Sequence, residues 1–164
     1  MHFFKGFQAA FRGLIYCINH ERNMRIHTVA ALYVFVFSFF FEIPPAGYAV
    51  LFTLFGVVMA LEVVNTGLEA LADRISPGYS HVVKVVKDIA AGAVLVMVVF
   101  AVAIAVVLFW QPKGFVGIYR YFCQDMPIMW LPFIIVSVCS LWYIAKGPMG
   151  MKNFFLRHKK FEQE

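Results

Sequence analysis

The stretch AGYAVLFTLFGVVMALEVVNTGLEALADR, residues 46–74, decides the fold of this protein. Its first part, residues 46–61, carries no charged side chain, and the remainder adds acidic and amide groups. Successive helical residues are rotated by about 100°, so these groups share one side of a helix. The polar stripe consists of Glu62, Asn65, Glu69 and Asp73. The stretch therefore predicts a membrane-spanning helix with a polar face toward its C-terminal end.

The composition of the whole chain indicates lipid surroundings. Of 164 residues, 62% are hydrophobic and 14% are charged, and the mean hydropathy is +0.79. A soluble domain has about 45–50% apolar and about 25% charged residues. So much apolar surface cannot be hidden in one small globule, which argues against a soluble domain.

Three further apolar stretches join residues 46–61 and predict an all-α membrane protein with four transmembrane helices. They are residues 28–41, 89–110 and 127–145. A bilayer core about 30 Å thick requires roughly 20 helical residues. The two shorter stretches, 28–41 and 46–61, therefore need flanking residues to complete a span.

Residues 2–18 precede these spans and have a different pattern. Bulky apolar side chains such as Phe4, Phe7 and Phe11 recur at three- and four-residue spacing, with polar residues between them. This pattern predicts an amphipathic helix at the membrane interface. The alternative is a core-facing helix of a soluble bundle, which the following apolar stretches disfavour.

The distribution of positive charge predicts the orientation. Twelve of the fourteen Lys and Arg residues lie before the first span, between the second and third, or after the fourth. The other two are Lys113 and Arg120. Because positive residues concentrate in cytoplasmic loops, both termini and the 73–88 loop are expected in the cytoplasm.

The position of Glu62 marks it as a candidate functional residue. It directly follows residues 46–61, and a charged side chain at the centre of a membrane helix costs on the order of 2.5–3.5 kcal/mol or more. An alternative is a solvated helix end beyond the headgroups, which suits Asp73 better than Glu62.

Two further polar groups lie on the same side of the membrane. Glu21 stands just before the first span, and an alternative for it is a surface ion pair with Arg25, four residues on. The third span is preceded by Lys84, Lys87 and Asp88. Positive flanking explains the lysines but not Asp88.

Carboxylates, lysines and an amide at one membrane face suit phosphoryl transfer to a lipid. Mg²⁺ takes oxygen ligands, typically one or two carboxylates plus substrate phosphates. The transfer needs charge neutralisation and a base near the acceptor hydroxyl. The chain has neither a GxxxxGK[ST] motif nor a glycine-rich kinase loop, so it does not match the soluble kinases.

Three motifs together resemble the bacterial diacylglycerol kinase and undecaprenol kinase family. They are NHERNMRIH at residues 19–27, ALEVVNTGLEALADRI at 60–75 and VVKDIAAGAVLV at 85–96. The resemblance covers about residues 5–110. The ERNMRIH run is similar to the undecaprenol-preferring branch, which favours undecaprenol over diacylglycerol as the lipid acceptor.

The resemblance implies roles for the residues around Glu62. Glu62 would be the general base that takes the proton of the lipid hydroxyl. Glu21 and Glu69 would bind the Mg²⁺ ion that bridges the phosphates of ATP, and Asn65 would help to position these groups.

The resemblance also implies a nucleotide contact, an assembly and a location. The expected nucleotide residues are Asp73, Tyr79, Ser80, Lys87 and Asp88. The family forms homotrimers with a surface helix and shared active sites on the cytosolic face of the bacterial cell membrane. ATP and a membrane lipid are the expected partners, and nucleic acid is not expected.

Some features depart from the family pattern. Gly67 replaces the usual Ala, and His81 lies one position away from the family's usual His. Residues 1–110 are the expected kinase domain. Residues 111–164 add a loop, the fourth span and a basic cytosolic tail, and are expected to pack without taking part in the chemistry.

Two rival functions belong to other classes. One is an ion-conducting or transporter-like oligomer whose polar stripe lines a pathway, although the stripe clusters at one membrane face. The other is a non-catalytic homologue, although each of the family's carboxylates is present.

Overall fold

The computed structural model describes residues 2–76 and 78–161, with the side chains of residues 2, 3 and 151–161 outside that description. All regular secondary structure in these ranges is helical, and they contain no strand. The α-helices are α1 (His2–His20), α2 (Arg22–Ser38), α3 (Pro45–Ile75), α4 (His81–Phe109), α5 (Pro112–Arg120) and α6 (Trp130–Phe161). A π-helical turn, Tyr121–Asp125, and a 3₁₀ turn, Pro127–Met129, connect α5 to α6.

Within the described residues, three helical segments are long and apolar enough to cross a membrane. They are Pro45–Ile75, His81–Phe109 and Pro127–Gly150. Helix α2 has 17 residues, slightly fewer than the roughly 20 that a span requires. The prediction of spanning helices is therefore confirmed for three of the four stretches, and the first span stays a prediction.

Helix α3 joins the apolar stretch and the polar stripe in one unbroken rod. It begins at Pro45, whose missing N–H group and fixed φ suit the first helical position. Its 31 residues correspond to roughly 46 Å at 1.5 Å per residue, which exceeds the thickness of a bilayer core of about 30 Å. The end that bears the polar stripe can therefore extend toward the headgroups.

Helix α4 runs back along α3 and, within the described residues, packs against it more extensively than any other two helices pack together. It begins eight residues before the predicted span, at His81, because the Ser80 hydroxyl accepts a hydrogen bond from the Val83 N–H at 3.5 Å. Lys87 and Asp88 thus lie inside the helix rather than before it.

The surface helix and the first span are separate helices joined at Glu21. Glu21 has extended backbone angles, φ −98° and ψ 120°, and its N–H donates to the carbonyl of Cys17 at 2.8 Å. Apolar side chains of α1, including Phe11 and Ile15, are exposed, whereas Cys17 is buried against α3. The location of α1 at the membrane interface stays a prediction.

The C-terminal helices pack on α2. Helix α6 contacts α2 and, near the α1–α2 turn, α1. The Tyr33 hydroxyl donates to the Ser137 hydroxyl at 3.0 Å, and Phe133 packs its ring against Tyr33 and Phe37. Helix α6 changes direction at Gly147, whose φ of 65° and ψ of 171° are open to glycine alone.

Candidate active site

Glu62 is the most completely buried carboxylate that the structure describes, with 1% of its surface exposed. Its Oε1 atom has no hydrogen-bond partner among the described residues. Glu21 and Glu69 both act on it electrostatically, and the Asn23 side chain adjoins it. Burying an ionisable group with an oxygen atom that lacks a hydrogen-bond partner costs free energy, unless a ligand or a proton binds that oxygen.

Asn65 and Glu69 lie on the same face of α3, one and two turns beyond Glu62. The Asn65 amide nitrogen donates to Oε1 of Glu69 at 3.0 Å, which orients the Glu69 carboxylate. Asn65 is buried, and its Oδ1 atom has no partner in the described part of the chain. Glu62, Asn65 and Glu69 of the predicted stripe therefore present oxygen atoms into one region, whereas Asp73 at the end of the stripe is exposed.

Glu21 comes to this region from the turn between α1 and α2. The turn is attached to α3 through Cys17, whose Sγ lies 3.1 Å from Oγ1 of Thr66. The Thr66 hydroxyl in turn donates to the backbone carbonyl of Glu62 at 2.8 Å. Burial is the main reason why the pKa of the Cys17 thiol is raised, and the Glu62 and Glu21 carboxylates raise it further. The thiol therefore stays protonated beside these carboxylates.

The surface ion pair with Arg25, the alternative interpretation of Glu21, is not formed among the described residues. The Arg25 guanidinium instead makes its hydrogen bonds with backbone carbonyls. The Glu21 carboxylate is thus not neutralised by Arg25 and is available to another cation.

The expected nucleotide residues form a second, more exposed group at the ends of α3 and α4. The Lys87 ammonium donates a hydrogen bond to the Asp73 carboxylate and forms an ion pair with it. Asp88 and Tyr79 are exposed, and the Ser80 hydroxyl caps α4. Asp73 and Lys87 are thus brought together, whereas the side chains of Tyr79 and Asp88 point outward.

The oxygen atoms around Glu62 fit a metal ion that arrives with a nucleotide. Among the side chains that the structure describes, those of residues 4–76 and 78–150, no group of three or more His, Cys, Asp or Glu forms a ready metal site. The buried side-chain atoms left without partners in those ranges are all oxygens: Asn19 Oδ1, Glu62 Oε1 and Asn65 Oδ1. Mg²⁺ prefers oxygen ligands and commonly takes one or two carboxylates together with substrate phosphates.

Three contributors to the site were missed by the sequence analysis. Asn23, Cys17 and Arg25 adjoin Glu62 or the Glu21 turn through contacts between helices. Of these three, only Arg25 could have been noticed in the sequence. A basic residue at the start of an apolar helix either sets the orientation of the helix in the membrane or makes structural contacts.

The described helices form an apolar bundle in which a buried carboxylate with an unpartnered oxygen, Glu62, lies beside two further carboxylates. Residues 8–109 match the model of the prokaryotic diacylglycerol kinase family, and the chain belongs to this family. The resemblance inferred from the three motifs is thereby confirmed, and the protein is a lipid kinase. Membership in a kinase family implies ATP as the phosphoryl donor and disfavours the ion-conducting alternative.

Similar proteins include both undecaprenol and diacylglycerol kinases. The chain is 36% identical to the undecaprenol kinase of Bacillus subtilis over 107 residues, which are 65% of this chain and 87% of that protein. It is 35% identical to a diacylglycerol kinase of Synechocystis over 107 residues, 65% of this chain and 61% of that protein. With the diacylglycerol kinase of Escherichia coli K12 it shares 28% identity over 105 residues, 64% of this chain and 86% of that protein.

Proposed function

We propose that this protein phosphorylates the hydroxyl group of undecaprenol with ATP and so produces a polyprenyl phosphate. The observation that carries the proposal is the buried Glu62 carboxylate, with its unpartnered oxygen, beside Glu21 and Glu69. The ERNMRIH run and the similarity to an undecaprenol kinase support undecaprenol as the acceptor. Diacylglycerol is the second candidate, because nearly equal identity links the chain to a diacylglycerol kinase.

In the proposed reaction, Glu62 acts as the general base. It accepts the proton of the lipid hydroxyl while that oxygen forms a bond with the γ-phosphorus of ATP. The bond between the γ-phosphorus and the bridging oxygen breaks, and ADP leaves with the electron pair. A bound Mg²⁺ ion would supply neutralisation of phosphate charge, and Glu21 and Glu69 are the residues that would hold it. Asn65 orients Glu69 for this task.

An apolar cavity supports the approach of a hydrocarbon chain to this base. It has a volume of about 160 Å³ and lies between α2, α3 and α4. Val58 and Met59, one turn before Glu62, are among its lining residues, as are Ala101 and Ala105 of α4. A lipid chain in this cavity would bring its hydroxyl end toward the Glu62 carboxylate.

The nucleotide is proposed to bind at the ends of α3 and α4. Lys87 is held toward α3 by Asp73, and an ammonium at this position suits the phosphates of ATP. Asp88, Tyr79 and Ser80 are the other proposed contacts, and their location at one end of the α3–α4 hairpin supports this assignment.

The proposed arrangement in the membrane has four spans, a surface helix and cytosolic termini. The excess of Lys and Arg on one side of the spans supports this topology and an active site on the cytosolic face of a bacterial cell membrane. We also propose a homotrimer. The many apolar side chains that α4 leaves exposed in a single chain, such as Leu95, Val99 and Val106, provide surface for lipid and for neighbouring subunits.

One assay tests the proposed acceptor. Purified full-length protein is incubated with radiolabelled ATP and Mg²⁺ in mixed micelles that contain undecaprenol, diacylglycerol or neither. We expect label in the undecaprenol phosphate, a slower reaction with diacylglycerol, and at least about 100-fold slower formation of both products with Glu62→Gln. A faster reaction with diacylglycerol would replace the proposed acceptor, and no transfer to either lipid would overturn the proposed substrates.

A further inference from the structure

Arg25 is a buried arginine whose guanidinium bonds to the backbone of two other helices. Only 6% of its surface is exposed. Its Nη1 donates to the carbonyls of Ile18 and Asn19 in the last turn of α1, at 3.0 and 3.1 Å. Its Nε donates to the carbonyl of Ile144 in α6 at 3.1 Å. Arg25 therefore joins three helices through one side chain.

The guanidinium of Arg25 lies next to backbone carbonyls near helix C-termini, which carry partial negative charge. The carbonyls of Ile18 and Asn19 lie in the last turn of α1, and that of Ile144 lies in the last turn of α6 before the break at Gly147. Unsatisfied carbonyls at a helix C-terminus carry partial negative charge, so they stabilise a cation. This explains how a guanidinium can be buried without a carboxylate partner in the described residues.

Gly147 brings α6 close enough for this contact. Its φ of 65° is strained for any residue with a side chain, and a Cβ atom there would lie 3.0 Å from Nη1 of Arg25. The same Cβ atom would lie 3.5 Å from the carbonyl oxygen of Asn19. A glycine at this position lets the backbone of α6 pack directly on the guanidinium and on the end of α1.

Glu21 lies in the α1–α2 turn, next to the contacts that Arg25 makes. It is the single extended residue between α1 and α2, one turn before Arg25. The bonds from Arg25 to Ile18 and Asn19 bridge this turn and set the angle between the two helices. Cys17 attaches the same turn to α3, so the backbone of the turn that carries Glu21 is held from the α3 side and, through Arg25, from the α6 side.

We propose that Arg25 and Gly147 form a joint through which the C-terminal extension positions Glu21 for metal–nucleotide binding. The extension is residues 111–164, which lie outside the matched range 8–109. The inference rests on the proposed role of Glu21 as a metal ligand. Arg25 acts as a positioning residue, because it contacts neither substrate nor metal in this scheme. This proposal departs from the expectation that the extension packs without taking part in the chemistry, and that expectation stays a prediction.

The test uses full-length protein with Gly147→Ala and, as a matched control, Gly117→Ala. Gly117 belongs to the same extension, and a Cβ atom there meets only an ordinary contact with Phe40 at 3.8 Å. We expect Gly147→Ala to raise the Mg²⁺ concentration for half-maximal activity about three- to tenfold, with kcat at saturating Mg²⁺ changed less than twofold. Mn²⁺ binding, followed by electron paramagnetic resonance with a non-hydrolysable ATP analogue, should weaken by the same factor. Gly117→Ala should change neither quantity.

A second variant keeps the inference testable if Gly147→Ala does not fold. Arg25→Lys preserves the charge but lacks the planar fork that reaches carbonyls of α1 and α6 together. We expect it to weaken Mn²⁺ binding in the same direction. If the variants that fold leave Mn²⁺ binding and the Mg²⁺ requirement within twofold of the wild type, the joint only packs helices and the proposal is overturned.

Glu21→Gln in the same measurements separates this inference from the proposed function. If Glu21→Gln weakens Mn²⁺ binding while Gly147→Ala and Arg25→Lys do not, the proposed positioning role of Arg25 and Gly147 is contradicted. The proposed role of Glu21 as a metal ligand is then retained. If Glu21→Gln leaves Mn²⁺ binding unchanged, the metal role of Glu21 fails and the inference fails with it.

Discussion

The Sγ atom of Cys17 lies 3.1 Å from Oγ1 of Thr66, and this contact attaches the surface helix to α3 one turn beyond Glu62. The Thr66 hydroxyl also donates to the carbonyl of Glu62. One hydroxyl group thus connects the helix that carries the proposed base to α1, which ends at His20, directly before Glu21. The relative position of the two carboxylates depends on this connection.

The Cys17–Thr66 connection predicts the effect of Thr66→Val. The valine keeps the volume of the side chain but removes a buried hydroxyl, and a lost hydrogen bond is typically worth about 0.5–1.5 kcal/mol. We expect the Tm to fall by about 2–4 °C for a chain of this size. The comparison is with Thr53→Val, because the Thr53 hydroxyl lies on the exposed side of the same helix and bonds only its own backbone at Ala49. Equal effects of the two substitutions would contradict a joining role for Thr66.

The burial of Glu62 predicts the behaviour of Glu62→Gln. The amide cannot accept the proton of the lipid hydroxyl, so we expect kcat to fall about 10²–10⁴-fold, the usual contribution of a general base. Nucleotide binding should be retained, because Glu62 is not among the proposed phosphate contacts. Glu42→Gln is the control, since Glu42 is exposed at the opposite end of the bundle. Near-normal turnover of Glu62→Gln at saturating ATP and lipid would remove Glu62 from the mechanism.

The convergence of Glu21 and Glu69 predicts a shared effect on metal binding. Each of Glu21→Gln and Glu69→Gln should raise the Mg²⁺ concentration needed for half-maximal activity. The effects should be non-additive in the double variant if both carboxylates hold one ion, because residues that share a partner are energetically coupled. Initial rates across a Mg²⁺ titration provide the measurement. Simple additivity would indicate separate roles for the two residues.

The ion pair between Lys87 and Asp73 predicts a difference between two lysines of α4. Lys87→Met should raise the KM for ATP several-fold, because it removes a cation that Asp73 holds in place. Lys84→Met removes an equal charge from the same helix and should have a smaller effect, since Lys84 is exposed. Stability should change little in either variant, because exposed ion pairs are typically worth about 0–1 kcal/mol. Equal KM values for the two variants would show that only net charge matters.

The apolar cavity beside Glu62 predicts a selective effect on the lipid. Ala101→Leu places a larger side chain in the cavity lining and should raise the KM for undecaprenol, with the KM for ATP unchanged. Ala103→Leu adds the same volume two residues on, where α4 is exposed, and should leave both constants unchanged. Rates measured over a range of lipid mole fractions distinguish these outcomes. An unchanged KM for lipid in Ala101→Leu would exclude this cavity as the path of the chain.

Local patterns in the sequence were sufficient for α3 and its polar stripe. Glu62, Asn65 and Glu69 share a face because 3.6 residues form one helical turn, and no other part of the chain is needed for that result. The apolar composition likewise determined the helical class, because backbone polar groups in a bilayer must be satisfied within a helix. The 19–27 motif identified Glu21 only through resemblance, since nothing local relates this residue to Glu62.

Tertiary structure decided which groups surround the stripe and how the extension meets it. Arg25 and Ile144 are 119 residues apart, and their hydrogen bond depends on the packing of α6 on α2. Helical spacing suggested Glu21 as the partner of Arg25, but the guanidinium lies against the carbonyl ends of α1 and α6 instead. The sequence by itself determined the helices and the face that carries the carboxylates, because these follow from local periodicity and hydropathy. Only the three-dimensional structure decided the partners of Cys17, Arg25 and Gly147, because contacts between helices depend on how distant segments pack.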